Sequence, residues 1–120
     1  MTLLMIALGA LLGAPARYLT DRAVQTRHST VFPWGTLTVN VIACLVLGIV
    51  TAAAHRLHPD LVTLIGPGFC ATLSTYSTFS YETVRLVEDG ERFHAIANTA
   101  LSLTAGIGAA TFGYILGGVL

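Results

Sequence analysis

The chain has 120 residues, of which 54% are hydrophobic and 10% charged, with six basic and six acidic residues. A soluble domain carries about a quarter charged residues, so this composition indicates a membrane protein. The neutral net charge without a basic stripe excludes nucleic acid as a partner, and the sequence has no catalytic motif that supports an enzyme.

Charged residues are absent from four windows, which are residues 1–16, 29–54, 61–81 and 95–120. Each window is close to the roughly 20 residues that a helix needs to cross a bilayer. We interpret the first as a retained span rather than a signal peptide, because no basic residue precedes its apolar run. We therefore predict an all-α membrane protein, a single four-helix subunit over residues 1–120, with spans at about 3–23, 34–54, 61–82 and 95–118.

The first predicted span carries Gly9 and Gly13 four residues apart. Small residues at this spacing allow the backbone of a neighbouring helix to approach closely. Arg17 lies near the end of this span, where a guanidinium either snorkels to the membrane interface or faces an aqueous vestibule.

The second predicted span has a stripe of small and partly polar residues at a constant spacing of four: Thr36, Asn40, Cys44, Gly48 and Ala52. Residues four apart share one helix face, so this stripe faces protein or a pore. Asn40 is the informative member, because a carboxamide at membrane depth needs a hydrogen-bond partner on another helix or in a solute. The sequence leaves both partners open.

The third predicted span is interrupted. Gly66-Pro67-Gly68 and the run from Ala71 to Thr75 both weaken a helix, through missing donors and through side chains that compete for the backbone. We predict a break in the middle of this span. Unwound backbone at membrane depth exposes carbonyl oxygens that can bind a cation.

Beyond the break, Tyr76 and Phe79 lie three apart, and a run of hydroxyls accompanies them: Ser77, Thr78 and Ser80. On a helix the two rings share a face that borders the hydroxyl track. Either this track meets a polar solute, or the rings are core and the hydroxyls bond back to the preceding turn.

The fourth predicted span contains Gly113 and Gly117, again at the spacing that suits close helix packing. The cysteines, Cys44 and Cys70, both fall inside predicted spans and are interpreted as small packing residues. The charges of the loop between the third and fourth spans are interpreted as mostly solvated.

Three segments together resemble the Fluc (CrcB) family of fluoride channels: GALLGAPARY from Gly9, GTLTVN ending at Asn40, and GFCATLSTYSTF ending at Phe79. The resemblance covers the whole chain. Its most specific part is the hydroxyl run with two aromatics three apart, which reads TTFSTF in the family.

This resemblance implies a fluoride channel of the plasma membrane that exports fluoride and is built as an antiparallel, dual-topology dimer with two pores. It also implies a structural sodium ion at the dimer centre. The carbonyls of Ala71 and Ser74 would hold the sodium, Arg17 would lie at the vestibule, and the pore would be lined by Asn40, Tyr76, Ser77, Thr78, Phe79 and Ser80.

The chain departs from the family pattern at Ala71 (usually Gly), Ser74 (usually Thr), Tyr76 (usually Phe) and Asn98 (often Tyr nearby). These departures leave open that the chain is a partner subunit of a heterodimer. A proton-coupled exporter similar to the small multidrug resistance family is disfavoured, because the first span has no carboxylate.

Four spans place the first and third loops on one side of the membrane, with Arg22, Arg27, Arg85 and Arg92, and the second loop on the other, with Arg56. Basic residues are retained on the cytoplasmic side, so this count favours both termini outside and a heterodimer with an oppositely oriented paralogue. A homodimer remains the default expectation.

Overall fold

The computed structural model describes residues 2–27, 32–74 and 77–119, without the side chains of Ser77 and Thr78. These residues form helices and no strand, so the predicted all-α class is confirmed for them. In chain order the elements are α1 (Thr2–Gln25), α2 (Trp34–Ala53), a 3-10 turn (Ala54–Arg56), α3 (Pro59–Thr63), a π-helical segment (Leu64–Cys70), α4 (Ala71–Leu73), α5 (Ser77–Glu88) and α6 (Arg92–Val119).

Three of the helical stretches are long and apolar enough to cross a membrane: Thr2–Gln25, Trp34–Arg56 and Arg92–Val119. Many large apolar side chains on them are exposed, including Leu3 on α1 and Ile107 on α6. Such surfaces suit a lipid environment, because lipid tails are as apolar as the side chains that face them.

The most extensive helix contact in the described part of the chain is between α2 and α6, and glycines make it close. A Cβ atom on Gly48 would lie 2.9 Å from the backbone nitrogen of Tyr114, and one on Gly117 would lie 2.8 Å from the Cβ of Ala52. Gly113 rests against the backbone of Leu45. The predicted packing role of Gly113 and Gly117 is thus confirmed.

Helix α1 packs through its own glycine pair on the π-helical segment. A Cβ on Gly9 would lie 2.7 Å from the Cα of Gly68, and one on Gly13 would lie 2.7 Å from the carbonyl oxygen of Phe69. Backbone therefore meets backbone at both positions, which confirms the predicted role of this pair.

The Gly66-Pro67-Gly68 sequence widens the helix without ending it. Proline lacks an N–H and its ring crowds the carbonyl four residues earlier. The segment instead adopts π-helical turns, and the N–H of Ala71 bonds to the carbonyl of Gly66, five residues before it. Helix α3, the π-helical segment and α4 consequently run on as one helix, Pro59–Leu73.

This helix ends at Leu73. Ser74 takes an extended conformation, with φ of −75° and ψ of 157°, while its N–H still bonds to the carbonyl of Cys70 at 2.9 Å. The next helix, α5, begins at Ser77. The region predicted as the third span therefore contains two helices rather than one continuous one.

Contacts between elements place the connections at the two ends of the bundle. At one end, Gln25 of α1 accepts a hydrogen bond from the N–H of Gly35 at the start of α2. At the other end, Arg56 after α2 donates to the carbonyl of Gly117 near the end of α6. The bond between Thr36 and Glu82 brings α5 to the first of these ends. The first and third connections thus share one end, and the second connection shares the opposite end with the start of α1 and the end of α6.

Candidate functional site

A cavity of about 240 Å³ lies between α2, α5 and α6, next to the end of α4. We call it the Asn40–Phe79 cavity, and its lining consists of Asn40, Cys44, Ser74, Phe79, Ser102, Leu103 and Gly106. Three residues singled out from the sequence, Asn40, Ser74 and Phe79, therefore lie on one cavity although they come from separate elements.

The small polar stripe of α2 forms one wall of this cavity and faces protein along its length. Thr36 donates a hydrogen bond to Glu82 on α5, Asn40 and Cys44 line the cavity, and Gly48 contacts α6. The stripe thus supplies both the polar lining and the close packing below it.

A matching stripe on α6 forms the facing wall through Ser102 and Gly106, and no role was predicted for these two residues from the sequence. Its members, Asn98, Ser102 and Gly106, are again spaced by four, so they share one helix face. A Cβ on Gly106 would lie 3.6 Å from the sulfur of Cys44. The repeated spacing in α6 was the signal that could have identified this wall.

The lining is mostly apolar with a few polar groups that converge, which is typical of small-ligand sites. A carboxamide such as that of Asn40 and a hydroxyl such as that of Ser74 contain N–H and O–H donors, and the edge of an aromatic ring such as that of Phe79 is electropositive. The hydroxyl of Ser102 donates to Asn98. Water occupies about 30 Å³ per molecule in the liquid, so the cavity has room for a small hydrated ion.

The other residues predicted for the pore and vestibule lie around this cavity or outside the described residues. Ser80 is half-buried on α5 and Arg17 is half-buried on α1, and neither is among the residues that line the cavity. Ser77 and Thr78 belong to the first turn of α5, but their side chains lie outside the described part of the structure. Tyr76 falls outside it entirely.

The residues predicted to bind sodium, Ala71 and Ser74, line a second cavity of about 310 Å³. It opens on the face formed by α2 and the Pro59–Leu73 helix, and Cys44 and Ser74 line both cavities. Ala71 is exposed and Ser74 half-buried.

The atoms exposed on the lining of this second cavity are almost all apolar. The last carbonyls of a helix have no partner within that helix, and the Pro59–Leu73 helix ends at this cavity. Among the described residues, no three His, Cys, Asp or Glu side chains group together to hold a metal. Oxygen donors of this kind suit a hard cation, and coordination of sodium by the carbonyls of Ala71 and Ser74 stays a prediction from the resemblance.

A polar cluster lies at the end of the bundle where α1 meets α2. Besides the bond from Thr36 to Glu82, the Asp21 carboxylate occupies the space that a side chain on Gly35 would fill. A third cavity of about 260 Å³ lies beside this cluster and includes Glu82 and Arg85 in its lining. Glu82 is therefore half-buried and bonded rather than solvated.

A buried polar network connects α5 with α6. Asn98 is completely buried, and its Nδ2 donates to the hydroxyl of Thr83 at 2.8 Å. Thr83 in turn donates to the carbonyl of Phe79 at 2.8 Å, and the hydroxyl of Ser102 donates to Oδ1 of Asn98 at 3.4 Å. The network thus begins and ends at residues of the Asn40–Phe79 cavity.

Comparison with known proteins gives a consistent result. The family model described as CrcB-like protein, Camphor Resistance (CrcB), matches residues 4–114. The chain is 58% identical to fluoride-specific ion channel FluC 1 of Frankia casuarinae, over 97% of this chain and 95% of the relative. It is 55% identical to FluC 1 of Streptomyces avermitilis, over 94% and 93%, and 42% identical to FluC 2 of Rhodococcus jostii, over 97% and 98%.

Proposed function

This chain belongs to the Fluc (CrcB) family of fluoride channels, and from this membership we propose that it is a subunit of a fluoride-selective channel that exports fluoride across the plasma membrane. The single observation that carries the proposal within the molecule is the Asn40–Phe79 cavity. It presents amide, hydroxyl and aromatic groups to an anion, and two of the helices that line it, α2 and α6, are long enough to cross a membrane.

The chemistry of the cavity suits a small and strongly hydrated anion. Fluoride leaves water when other donors replace its hydration shell, and conduction also requires that it leave those donors quickly. Neutral donors such as the Asn40 amide and the positive edge of the Phe79 ring meet both needs. Among the described residues that line the cavity there is no charged side chain, so none of them is a fixed cation that would hold the ion too firmly.

We extend the path from this cavity along the hydroxyl-rich start of α5. The proposed pore residues are those of the family motif: Asn40, Tyr76, Ser77, Thr78, Phe79 and Ser80. Arg17 is proposed to face the aqueous vestibule, where a guanidinium attracts anions without sitting in the narrow path.

We propose that the two helices Pro59–Leu73 and Ser77–Glu88 form one broken third crossing. At about 1.5 Å per residue each is shorter than the ~30 Å hydrocarbon core, whereas together they are long enough. The first and third connections lie at the same end of the bundle, which supports this proposal. Between them the chain runs through α2 and then through the two short helices, so it returns to the same side if these two helices together make one crossing.

We further propose that two copies pair in opposite orientations about the face that carries the second cavity. The exposure of Ala71 and the cavity beside it support this face, because a second copy would cover both. The carbonyls of Ala71 and Ser74 from both copies would then surround a sodium ion. That ion would supply positive potential to the anion path from a distance.

The partner is proposed to be a second copy of this chain, with a paralogous subunit as the alternative. The unequal distribution of arginines between the two ends favours one orientation per chain, and the relatives include proteins numbered FluC 1 and FluC 2.

Fluoride efflux from liposomes that contain this chain alone tests the proposal. The purified protein is reconstituted with internal potassium fluoride, valinomycin is added, and a fluoride electrode records the release. We expect rapid release of fluoride from liposomes that contain the protein and no release from protein-free liposomes. In a second control, liposomes that contain the protein are loaded with chloride, and a chloride electrode should record no release. No release from the chain alone, but release after co-reconstitution with an oppositely oriented paralogue, would support the partner-subunit alternative; no release in either case would reject the channel.

A further inference from the structure

We propose that Asn98 is a positioning residue of the pore, which acts through the hydroxyl of Thr83 to hold the turn of α5 that carries Phe79 against α6. Its effect on conduction rests on the proposed function, whereas its effect on Phe79 follows from the hydrogen bonds alone.

The place of such a residue is the start of α5. The Pro59–Leu73 helix ends at Leu73, and α5 is described from Ser77 onward, so Phe79 lies in the first turn of α5 as the structure describes it. Helix ends fray unless side chains tie them down. A hydrogen-bonded attachment to α6 holds this turn in place.

The attachment has a defined direction of hydrogen bonds. A hydroxyl has one hydrogen, and that of Thr83 goes to the carbonyl of Phe79 at 2.8 Å. The Thr83 oxygen can therefore only accept a hydrogen bond from Asn98. The Asn98 side chain must then donate through Nδ2, which lies 2.8 Å from the Thr83 oxygen. The orientation of the buried carboxamide is thus fixed by its neighbour rather than by a free choice between oxygen and nitrogen.

The same orientation connects Asn98 to the facing wall of the cavity. With Nδ2 turned to Thr83, Oδ1 points to Ser102 and accepts its hydroxyl hydrogen at 3.4 Å. This is long for a hydroxyl bond, whose usual length is about 2.7–2.8 Å, so it contributes less than the bond to Thr83. Asn98 therefore acts mainly on Phe79 and weakly on Ser102.

A packing role and a positioning role predict opposite results at Thr83. Thr83→Val keeps the shape of the side chain and removes the hydroxyl, whereas Thr83→Ser keeps the hydroxyl and loses a methyl group. If Thr83 merely fills space, Val is the better replacement. If it relays the hold of Asn98 on Phe79, Ser restores function and Val does not.

Fluoride efflux per reconstituted dimer provides the first measurement. We expect Thr83→Ser to match the parent, and Thr83→Val and Asn98→Leu each to lower the flux by about five- to tenfold, the effect of one hydrogen bond of ordinary strength. The double variant Thr83→Val/Asn98→Leu should be no slower than either single variant, because both remove the same link.

The double variant also settles the case in which Thr83→Val alone fails to fold. Thr83→Val leaves the buried Nδ2 of Asn98 without its acceptor, which is costly, whereas the double variant contains no such donor. A folded double variant that releases fluoride as fast as the parent, or a Thr83→Val protein that outperforms Thr83→Ser, would overturn the proposal.

A spectroscopic measurement tests the hold on Phe79 without any fluoride flux. Phenylalanine is replaced biosynthetically by 4-fluorophenylalanine, and the 19F resonance of residue 79 is identified as the line lost in Phe79→Leu. We expect this line to shift or broaden in Thr83→Val/Asn98→Leu. The matched control is Thr99→Val, since the exposed Thr99 hydroxyl bonds within its own helix to Ala95, and it should leave the line unchanged.

An unchanged line in the double variant would overturn the proposal even if the parent conducts. Conversely, a parent that releases no fluoride would reject the proposed function while the 19F spectra still decide whether Asn98 positions Phe79. The two failures are therefore distinguishable.

Discussion

Asn40 on α2 and Phe79 on α5 line the same cavity of about 240 Å³. One side chain is a carboxamide, which contains N–H donors, and the other is an aromatic ring. An anion between them would exchange water for two kinds of neutral donor, and each can be tested separately.

Replacement of Phe79 by Ile should lower fluoride efflux by about tenfold, because it keeps apolar bulk and removes the electropositive ring edge. Efflux from liposomes, normalised to the dimer peak in gel filtration, checks this. Phe112→Ile is the matched control, since Phe112 is 58% exposed on α6 and should not affect the flux. A dimeric Phe79→Ile protein with parental efflux would show that the ring is core filling.

Replacement of Asn40 by Ser should also lower fluoride efflux, because it shortens a donor that replaces the hydration shell and adds no bulk. We expect a loss of about tenfold in the same liposome measurement. Cys44→Ala changes the neighbouring position of the same cavity wall without removing a strong donor, and it should retain most of the flux. Equal losses in both variants would argue that cavity shape rather than the amide matters.

Ser74 should tolerate the loss of its side chain but not of its N–H. Ser74→Ala keeps the bond to the Cys70 carbonyl at 2.9 Å and both backbone oxygens proposed for sodium, so dimer formation should persist. Ser74→Pro removes the N–H and disfavours the helical conformation of Leu73 before it, so the dimer should be lost. Gel filtration in sodium-containing detergent buffer compares the two, and equal damage would argue against coordination by carbonyls.

Gly113→Ala should destabilise the fold strongly, because its Cβ would lie 3.2 Å from the backbone nitrogen of Ile49 and closer still to the carbonyl of Leu45. Gly108→Ala on the same helix is the matched control, since nothing lies within 4 Å of its added Cβ. Alanine also favours a helix over glycine by about 0.5–1 kcal/mol, so this control should be neutral or stabilising. The temperature at which each purified variant aggregates, compared with that of the parent, measures the change in stability.

Labelling of cysteines from one side of the membrane tests the orientation. In a background where Cys44 and Cys70 are replaced by Ala, the exposed Thr26 near the first connection and the exposed His55 near the second are changed to Cys one at a time. For a homodimer with dual topology, an impermeant maleimide applied to intact cells should label each variant to about half of the total reached after permeabilisation. Full labelling of one variant and none of the other would show a single orientation and favour the heterodimer.

The sequence by itself determined the features that depend on composition and local spacing. The windows without charge predicted an all-α membrane protein, because an apolar stretch of about 20 residues crosses a bilayer as a helix, in which the backbone hydrogen bonds are satisfied within the segment. The glycine pairs on the first and last helices predicted close packing because they share a helix face. The polar stripe through Asn40 was likewise visible, since a spacing of four is a property of the helix and not of its surroundings.

Which faces meet was decided by the tertiary structure. Spacing places Asn98, Ser102 and Gly106 on one face of α6, but only the packing of α6 on α2 brings Ser102 and Gly106 to the cavity that Asn40 lines. In the same way, Glu82 could not be distinguished from its charged neighbours until α5 brought it to the hydroxyl of Thr36. Contacts between residues far apart in the chain depend on how helices are docked, and no local rule of helix geometry contains that information.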